Sequence, residues 1–333
     1  MQSSTTSSVW DLADLATPMA IRTAATLRLA DHAYPHGETA EQLAAETGTS
    51  TVALRRLLDH LVTVDVFALD VESDRYRPTT LGTQMRRDAP EGVLPVLDMT
   101  QAGGRAELAF VELLASVTTG EAAYPRHFGR DFWADLDAHP QLRRSFDQQM
   151  NWRFQLQAPQ ISQRYDWNRF GTVLDVGGGD GTLLTEILAA HPDVHGQVLD
   201  LEPTTDAATT RFADAGLTER AQAAPGSFFD PLPTGFDAYL LSDIVHDWDD
   251  DHARTILTHC RDAAAPTKAA VLLIEPIRGQ GTSTGIDLFM LMCFGGGERT
   301  IDDIATLAND CGLALSSHAP VSDGRTILEL RPS

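Results

Sequence analysis

Apolar residues recur at helical spacing through the first half of the chain. Between Val9 and Leu29 they cover more than one narrow stripe, which predicts helices with one face left for a partner subunit. A helix from Thr39 to Glu46, a turn at Gly48 and a second helix from Ser50 are typical of a helix-turn-helix. Segments ending at Phe67 and beginning at Tyr76 predict a small β-wing. Helical patterns continue through residues 110–117 and 145–161, with residues 120–130 expected as a loop.

The pattern changes near Gly171, where short β-rich runs begin to alternate with helical patterns. This order predicts an α/β fold with a doubly wound, mostly parallel sheet covered by helices. Ligands in such sheets bind at the carboxyl ends of the strands near the topological switch point. The candidate strands are Thr172–Val176, Gln197–Asp200, Ala238–Ser242, Ala270–Glu275, Leu313–Ser317 and Thr326–Leu330.

Composition narrows the classes of partner. The formal net charge of -22 over 333 residues would repel nucleic acid and anionic membranes, so a small-molecule partner is expected. No secretory signal and no apolar run of about 20 residues is evident, which predicts a cytoplasmic protein. Cys260, Cys293 and Cys311 lack CxxC spacing and are expected to be ordinary reduced thiols. No ligand cluster has convincing metal spacing.

A glycine-rich turn follows the first candidate strand of this half. Gly177, Gly179 and Gly181 permit positive φ and close approach of a ligand to the backbone. The dinucleotide fingerprint would need glycine at position 182, where the chain has Thr182. Acidic residues beside the turn disfavour a pyrophosphate and favour a cofactor carrying a sulfonium and an ammonium group.

Two further segments extend this cofactor site. Asp200 ends the next strand, at a spacing that suits hydrogen bonds from a ribose diol, although a solvated loop aspartate is the alternative. Further along, Ser227 and Phe228 could sandwich adenine, with Phe228 as a core residue the competing interpretation.

His246 lies just beyond the strand that ends at Ser242, before a helix expected to begin near Asp250. A neutral imidazole with a pKa of about 6.5 can accept a proton from a phenol, whose pKa is about 10. The position and residue type therefore indicate a candidate general base, whereas a lone histidine is more often structural.

These motifs resemble the small-molecule O-methyltransferases that depend on S-adenosylmethionine (SAM), the family of plant caffeate-type and actinobacterial polyketide enzymes. The motifs stand in order as DVGGGDG, the strand end at Asp200, GSFFDPLP, LSDIVHDWDD and GGGERT. N-terminal segments are most similar to the naphthoate O-methyltransferase of enediyne antibiotic biosynthesis. The resemblance implies methyl transfer from SAM, without a metal, to a phenolic hydroxyl of a small aromatic or polyketide-derived compound such as a hydroxynaphthoate.

The resemblance also assigns residues to roles. His246 is the expected base, and Glu275 or Glu298 would orient it; a surface Glu298 paired with Arg299 is the alternative. Expected SAM-binding residues are Arg143, Gly177, Gly179, Asp200, Ser227, Phe228, Ser242 and Trp248. Expected substrate-binding residues are Met150, Phe154, Asp247, Met290 and Phe294, for which core packing is an alternative. Many relatives have Asp-Met or Asp-Phe at positions 227 and 228, and plant enzymes have Lys at position 242, so the detailed SAM contacts differ here.

By the same resemblance, residues 1–100 form a winged-helix-like dimerisation domain, 101–170 a helical linker that contributes to the substrate pocket, and 171–333 the Rossmann-like SAM-binding catalytic domain. A homodimer is expected. A winged-helix DNA-binding regulator is the first rival, but acids outnumber arginines between Thr39 and Pro78. The second rival keeps the fold and SAM but changes the reaction, to N- or C-methylation. Relatives that lack the histidine use the site for decarboxylation or hydroxylation.

Overall fold

The computed structural model describes residues 8–90, 92–202, 204–281 and 283–333, and it divides the chain into two compact units. The first unit comprises residues 1–108 and 139–146, and the second comprises 109–138 and 147–333. The long helix over residues 140–164 therefore begins in the first unit and ends in the second. The domain limits expected from the sequence stay a prediction.

The first unit is mainly helical and carries a two-stranded antiparallel wing. Gln42 and the N-cap Thr39 form a capping box at the start of its fourth helix, and Gly48 ends that helix in the left-handed conformation. Leu43, Leu58, Leu61 and Phe67 are fully buried in its core. Its elements are α1 (Val9–Ala13), α2 (Ala16–Thr26), α3 (Leu29–Ala33), α4 (Ala40–Thr47), α5 (Thr51–Thr63), β1 (Phe67–Asp70), β2 (Arg75–Pro78), α6 (Leu94–Leu97) and α7 (Ala102–Glu107).

Two surface features of this unit bear on its partners. The large apolar side chains of Val9, Trp10 and Leu12 on α1, and of Leu15 just before α2, are exposed, as expected of a segment that packs against a partner subunit. On α5, Arg55 lies within 3.1 Å of the carboxylates of both Glu41 and Asp74. Its positive charge is therefore paired with acidic residues of the same unit.

The second unit is the predicted doubly wound α/β layer structure. Its elements are α8 (Leu113–Thr119), α9 (Tyr124–Phe128), α10 (Phe132–Ala138), α11 (Pro140–Arg164, from residue 147), β3 (Thr172–Val176), α12 (Thr182–Ala190), β4 (His195–Asp200), α13 (Thr204–Asp214), β5 (Ala221–Pro225), β6 (Ala238–Ser242), α14 (Asp250–Ala264), β7 (Ala270–Glu275), α15 (Thr284–Phe294), α16 (Ile301–Asp310), β8 (Leu313–Ser322) and β9 (Arg325–Pro332).

A seven-stranded sheet organises this unit, with strand order β5-β4-β3-β6-β7-β9-β8. The strands from β3 to β7 pair in parallel, and β9 is antiparallel to both of its neighbours. Alternate residues along each strand enter two different core clusters: Leu174 and Leu241 lie in one, and Val173 and Leu240 in the other. Because the chain runs outward from β3 to β5 and then returns to β6, the switch point lies between the ends of β3 and β6.

The structure differs from the sequence prediction in several elements. The wing segment expected to end at Phe67 is wrong, because the strand β1 begins at that residue. The strands β4 and β8 are longer than predicted. The strand β5 was missed because its sequence, AQAAP, lacks the β-branched and aromatic residues that mark strands. The expected loop over residues 120–130 contains the short helix α9, which begins with Pro125 in its first turn. Within the described residues, no helix is both long enough and apolar enough to cross a membrane.

Candidate active site

The glycine turn after β3 lies at the switch point. Gly177 has φ 73°, and a Cβ atom there would lie 2.6 Å from Cδ1 of Ile244. Gly179 has φ 61°, and a Cβ on it would meet open space, so the turn presents bare backbone there. The amide of Gly179 donates to Oδ2 of Asp200 over 2.8 Å. The turn and the end of β4 are therefore tied together, as the predicted cofactor site requires.

The acidic residues beside the turn differ in their surroundings. Asp180 is paired with Arg211 and also accepts hydrogen bonds from Thr182, so its charge is already neutralised. Asp175 is buried, and neither of its carboxylate oxygens has a hydrogen-bond partner among the described residues. Burial, together with the nearby charge of Asp200, raises the pKa of Asp175 to about 7. With a pKa of about 7, Asp175 is only partly ionised at neutral pH, so the negative charge beside the turn comes from Asp200 and only in part from Asp175.

An aromatic cluster covers the segment after β5. The ring of Trp248 lies edge-on to Phe228, with 5.9 Å between centroids, and stacks on Trp133 at 6.0 Å. Trp133 also stacks on Phe294 at 5.4 Å. Neighbouring Ser227 accepts a hydrogen bond from the amide of Phe229. Trp133 was missed because it lies on α10, in a segment of the sequence without a recognisable motif.

The end of β6 contributes a buried hydroxyl and an ion pair. Oγ of Ser242 is buried without a hydrogen-bond partner among the described residues, which marks it as able to accept or donate to a ligand. The next residue, Asp243, is held by two hydrogen bonds from Arg325, of 2.7 and 3.0 Å. Asp243, His246 and Glu275 have side-chain N and O atoms within 4.8 Å of one another, close enough to ligate a metal ion. The carboxylate of Asp243 is already paired with Arg325, and this positive charge disfavours a metal ion at the same place.

His246 lies in a 3₁₀ turn, Val245–Asp247, and its imidazole is flanked by two carboxylates. Nδ1 lies 2.7 Å from Oε2 of Glu275, and Nε2 lies 3.3 Å from Oδ1 of Asp247. The Nδ1 contact is short but lacks the direction of a well-formed hydrogen bond, so it is best described as a close ion pair. Oε1 of Glu275 accepts hydrogen bonds from the amides of Ile244 and Val245, which fixes the carboxylate beneath the turn.

The two carboxylates control the charge of the imidazole. Burial alone would lower the pKa of His246, but the charges of Glu275 and Asp247 outweigh it and raise the pKa well above its ordinary value. A carboxylate only accepts hydrogen bonds, so Glu275 favours the tautomer with the proton on Nδ1 and the lone pair on Nε2. By the same rule Asp247, 3.3 Å from Nε2, favours a proton on that nitrogen, but Glu275 is the closer carboxylate. In the neutral form with the proton on Nδ1, Nε2 is the nitrogen able to take a proton.

Glu298 is buried in the loop before α16, and its amide donates to Asp287. The alternative that made it a surface glutamate paired with Arg299 is wrong, because Arg299 pairs with Asp250 instead. Arg299 also donates to the backbone carbonyls of Val245 and Trp248. Sequence reasoning missed this role, because the partners lie far from Arg299 along the chain.

The remaining predicted residues lie in several places. Arg143 belongs to the first unit, at the start of α11, and the other predicted residues belong to the second. Met150 and Phe154 are half-buried on the later part of α11. Met290 is buried on α15, and Phe294 ends that helix in the aromatic cluster.

The residues at the switch point fit SAM. A sulfonium and an ammonium group suit the unpartnered carboxylate of Asp175, and a ribose diol suits Asp200 at the end of β4. Leu201, which follows Asp200, exposes 52% of its surface, although it is large and apolar; with Phe228 it offers apolar surface for adenine.

Comparison with known proteins agrees with this site. Residues 110–314 match the family model described as O-methyltransferase domain, and residues 10–86 match the O-methyltransferase dimerisation domain. The chain is 47% identical, over 93% of both chains, to the 2,7-dihydroxy-5-methyl-1-naphthoate 7-O-methyltransferase of Streptomyces carzinostaticus. It is 41% identical to the aclacinomycin 10-hydroxylase of Streptomyces purpurascens, over 92% of this chain and 84% of that protein.

A solved structure is similar to this chain over nearly its full length. It is an O-methyltransferase from neocarzinostatin biosynthesis in complex with S-adenosylmethionine and 2-hydroxy-5-methyl naphthoic acid, with a TM-score of 0.93, 46% identity and coverage of 99% of this chain and 100% of that one. The class that fold and site define is the SAM-dependent methyltransferase. Within that class the chain belongs to the O-methyltransferase family, and it carries the dimerisation domain of that family. The predicted family, fold class and enzyme class are confirmed.

Proposed function

We propose that this enzyme methylates a phenolic hydroxyl of a small fused-ring aromatic compound, such as a hydroxynaphthoate, with His246 as general base. The observation that carries the proposal is the buried imidazole held between Glu275 and Asp247 at the switch point, beside the glycine turn. The 47% identity to a naphthoate O-methyltransferase supports the substrate class.

SAM, when bound, supplies a methyl group activated by its sulfonium. The residues of the chain then have to place the acceptor oxygen in line with that methyl group and to remove its proton. Nε2 of His246 takes the phenolic proton, and Glu275 stabilises the imidazolium through Nδ1. Glu298, buried in the loop before α16, stays proposed as a second acid that acts on the base.

The cofactor residues are proposed from the same geometry. Gly177 and Gly179 give backbone access, Asp200 binds the ribose, and Ser242 supplies a hydroxyl. The adenine end of SAM is proposed to lie against Ser227, Phe228 and Trp248. For the methionine carboxylate we propose Arg143, and this assignment comes from the resemblance alone. The substrate contacts that we propose are Met150, Phe154, Asp247, Met290 and Phe294.

The deciding experiment is incubation of the purified protein with SAM and a panel of hydroxynaphthoates, catechols and anthracyclines, followed by mass spectrometry with fragmentation. A product heavier by one methylene, with the methyl group on oxygen, supports the proposal. Methyl transfer to nitrogen or carbon, or a product heavier by one oxygen, contradicts it.

We also propose that the enzyme acts in the cytoplasm. The support is the presence of three buried cysteines with free thiols, together with the small-molecule chemistry of the site. Fractionation of the producing cells tests this, and recovery of the protein from the medium would contradict it.

A further inference from the structure

Arg299 is a half-buried arginine that the proposed chemistry does not use. Only 12% of its side chain is exposed. Its Nη1 donates to the carbonyl of Val245 over 2.8 Å, and its Nη2 donates to the carbonyl of Trp248 over 2.8 Å. Nε and Nη2 also reach Oδ1 of Asp250, at 3.1 and 2.8 Å. All three guanidinium nitrogens therefore act on the short segment that contains His246.

The two carbonyls that Arg299 binds lie on either side of His246 and Asp247 along the chain. Val245 precedes His246, and Trp248 follows Asp247, so a single planar group spans the base and its neighbour. The guanidinium suits this task because its donors have a fixed fork geometry, whereas an ammonium is a point charge on a flexible stem. A one-turn 3₁₀ helix has few hydrogen bonds of its own and depends on such outside donors.

The chain around Arg299 lies against the same turn. The amide of Gly297 donates to the carbonyl of His246 over 2.9 Å. A Cβ on Gly296 would lie only 2.2 Å from that carbonyl oxygen, so the loop approaches the turn as closely as backbone allows. The backbone of Arg299 is itself anchored, since its carbonyl accepts from the amide of Arg278 over 3.1 Å. The guanidinium is therefore held on a fixed support.

We propose that Arg299 is a positioning residue for the general base. Its hydrogen bonds to the carbonyls of Val245 and Trp248 keep the imidazole of His246 against Glu275 while acceptors bind and products leave. The inference rests on the proposed role of His246. Since a misplacement of about 1 Å in a reacting group can cost roughly 10²-fold in rate, loss of these hydrogen bonds reaches catalysis without any contact between Arg299 and the acceptor.

The test compares Arg299→Lys with a matched surface variant, Arg278→Gln. The lysine keeps the positive charge but offers one donor nitrogen on a flexible stem, in place of the two nitrogens that reach the carbonyls of Val245 and Trp248. The side chain of Arg278 is 54% exposed and pairs with Asp303 at the surface. For each variant, kcat, its pH profile, SAM affinity by calorimetry and the thermal unfolding temperature are measured. We expect Arg299→Lys to lower kcat about 10–100-fold, with unchanged SAM affinity and a pH midpoint shifted downward as the imidazole moves from Glu275. Arg278→Gln should match the wild type.

A double-mutant cycle with His246→Ala separates a positioning role from a general structural one. If Arg299 acts through the base, Arg299→Lys should have no further effect in the His246→Ala background. Full kcat in Arg299→Lys while His246→Ala is slow overturns this inference alone. So does a kcat defect that adds to that of His246→Ala, or one that leaves the pH midpoint in place. Full turnover in His246→Ala overturns the proposed base and this inference together.

Discussion

Nδ1 of His246 and Oε2 of Glu275 lie 2.7 Å apart, although the two residues come from different strand ends. The pairing of β6 with β7 brings these ends together, because Ser242 lies opposite Ile274 in the register, directly before Glu275. The contact supports Glu275 as the carboxylate proposed to orient the imidazole. It also sets the protonation behaviour of the site, from which the first two predictions follow.

Replacement of His246 by alanine should cut turnover by roughly 10²–10⁴-fold, the range expected when acid–base assistance is lost. SAM affinity, measured by calorimetry, should stay near the wild-type value. His318→Ala is the control, because His318 is an exposed histidine on β8. Full turnover in His246→Ala with a saturating phenol near neutral pH, with chemistry shown to be rate-limiting, would show that positioning alone carries the reaction.

The wild-type kcat should rise with pH, since only the neutral imidazole accepts a proton. The carboxylates of Glu275 and Asp247 raise the pKa of His246, so the midpoint should lie above the value of about 6.5 usual for histidine. Glu275→Gln should lower that midpoint. It should also reduce kcat by about 10²-fold or more, because an amide NH₂ facing Nδ1 favours the tautomer with the proton on Nε2.

Glu298→Gln is the matched control for that experiment. Glu298 is also a buried glutamate, but it has no ion-pair contact with the imidazole among the described residues. Its variant should shift the midpoint less than Glu275→Gln does. A larger shift in Glu298→Gln would mean that the base takes its partner from the other loop during catalysis.

Asp200→Ala should weaken SAM binding by roughly 10–100-fold, as expected when hydrogen bonds to a charged group worth about 1.5–3 kcal/mol are lost. Part of the loss is indirect, because Asp200 also holds the amide of Gly179. Isothermal calorimetry measures the affinity, with the exposed Asp214→Ala on α13 as control. Unchanged affinity in Asp200→Ala, or tight NAD binding by the wild type, would refute the cofactor site as described.

Asp175→Asn should change the pH dependence of stability. Burial and the charge of Asp200 raise the pKa of Asp175 to about 7 in the folded state, whereas an unfolded aspartate has a pKa of about 4. The unfolded state therefore loses its proton first, and the wild-type free energy of unfolding falls as the pH rises from about 4 to 7. The asparagine does not ionise, so the free energy of unfolding of the variant minus that of the wild type should increase by about 2–3 kcal/mol between pH 5 and pH 8. Urea unfolding without SAM measures this, and a difference independent of pH would contradict the ionisation of Asp175.

The homodimer predicted from the Val9–Leu29 pattern should depend on the exposed apolar side chains of α1 and α2. Leu12→Asp should raise the monomer fraction in light scattering at micromolar concentration, because an ionised carboxylate is costly to bury in an interface. Val71→Asp, at an equally exposed valine in the turn between β1 and β2, should leave the dimer intact. A monomeric wild type would contradict the prediction.

Much of the fold could be predicted from local pattern. Three strands, Thr172–Val176, Ala238–Ser242 and Ala270–Glu275, have the same bounds in the prediction and in the structure. They are apolar runs between clear turn signals, and their residues are buried on both faces of a parallel sheet. The edge strand β5 lacks that signal, since part of its surface is exposed and its side chains are small.

The sequence by itself determined the glycine turn, the acid that ends β4 and the histidine beyond β6, because each depends on residues close together in the chain. Tertiary structure alone decided which charged groups meet. It placed Glu275 against His246, paired Asp180 with Arg211 and turned Arg299 toward the carbonyls beside the base. These pairings join elements that are distant in sequence, and they depend on strand order and loop packing, which local propensity and spacing do not specify.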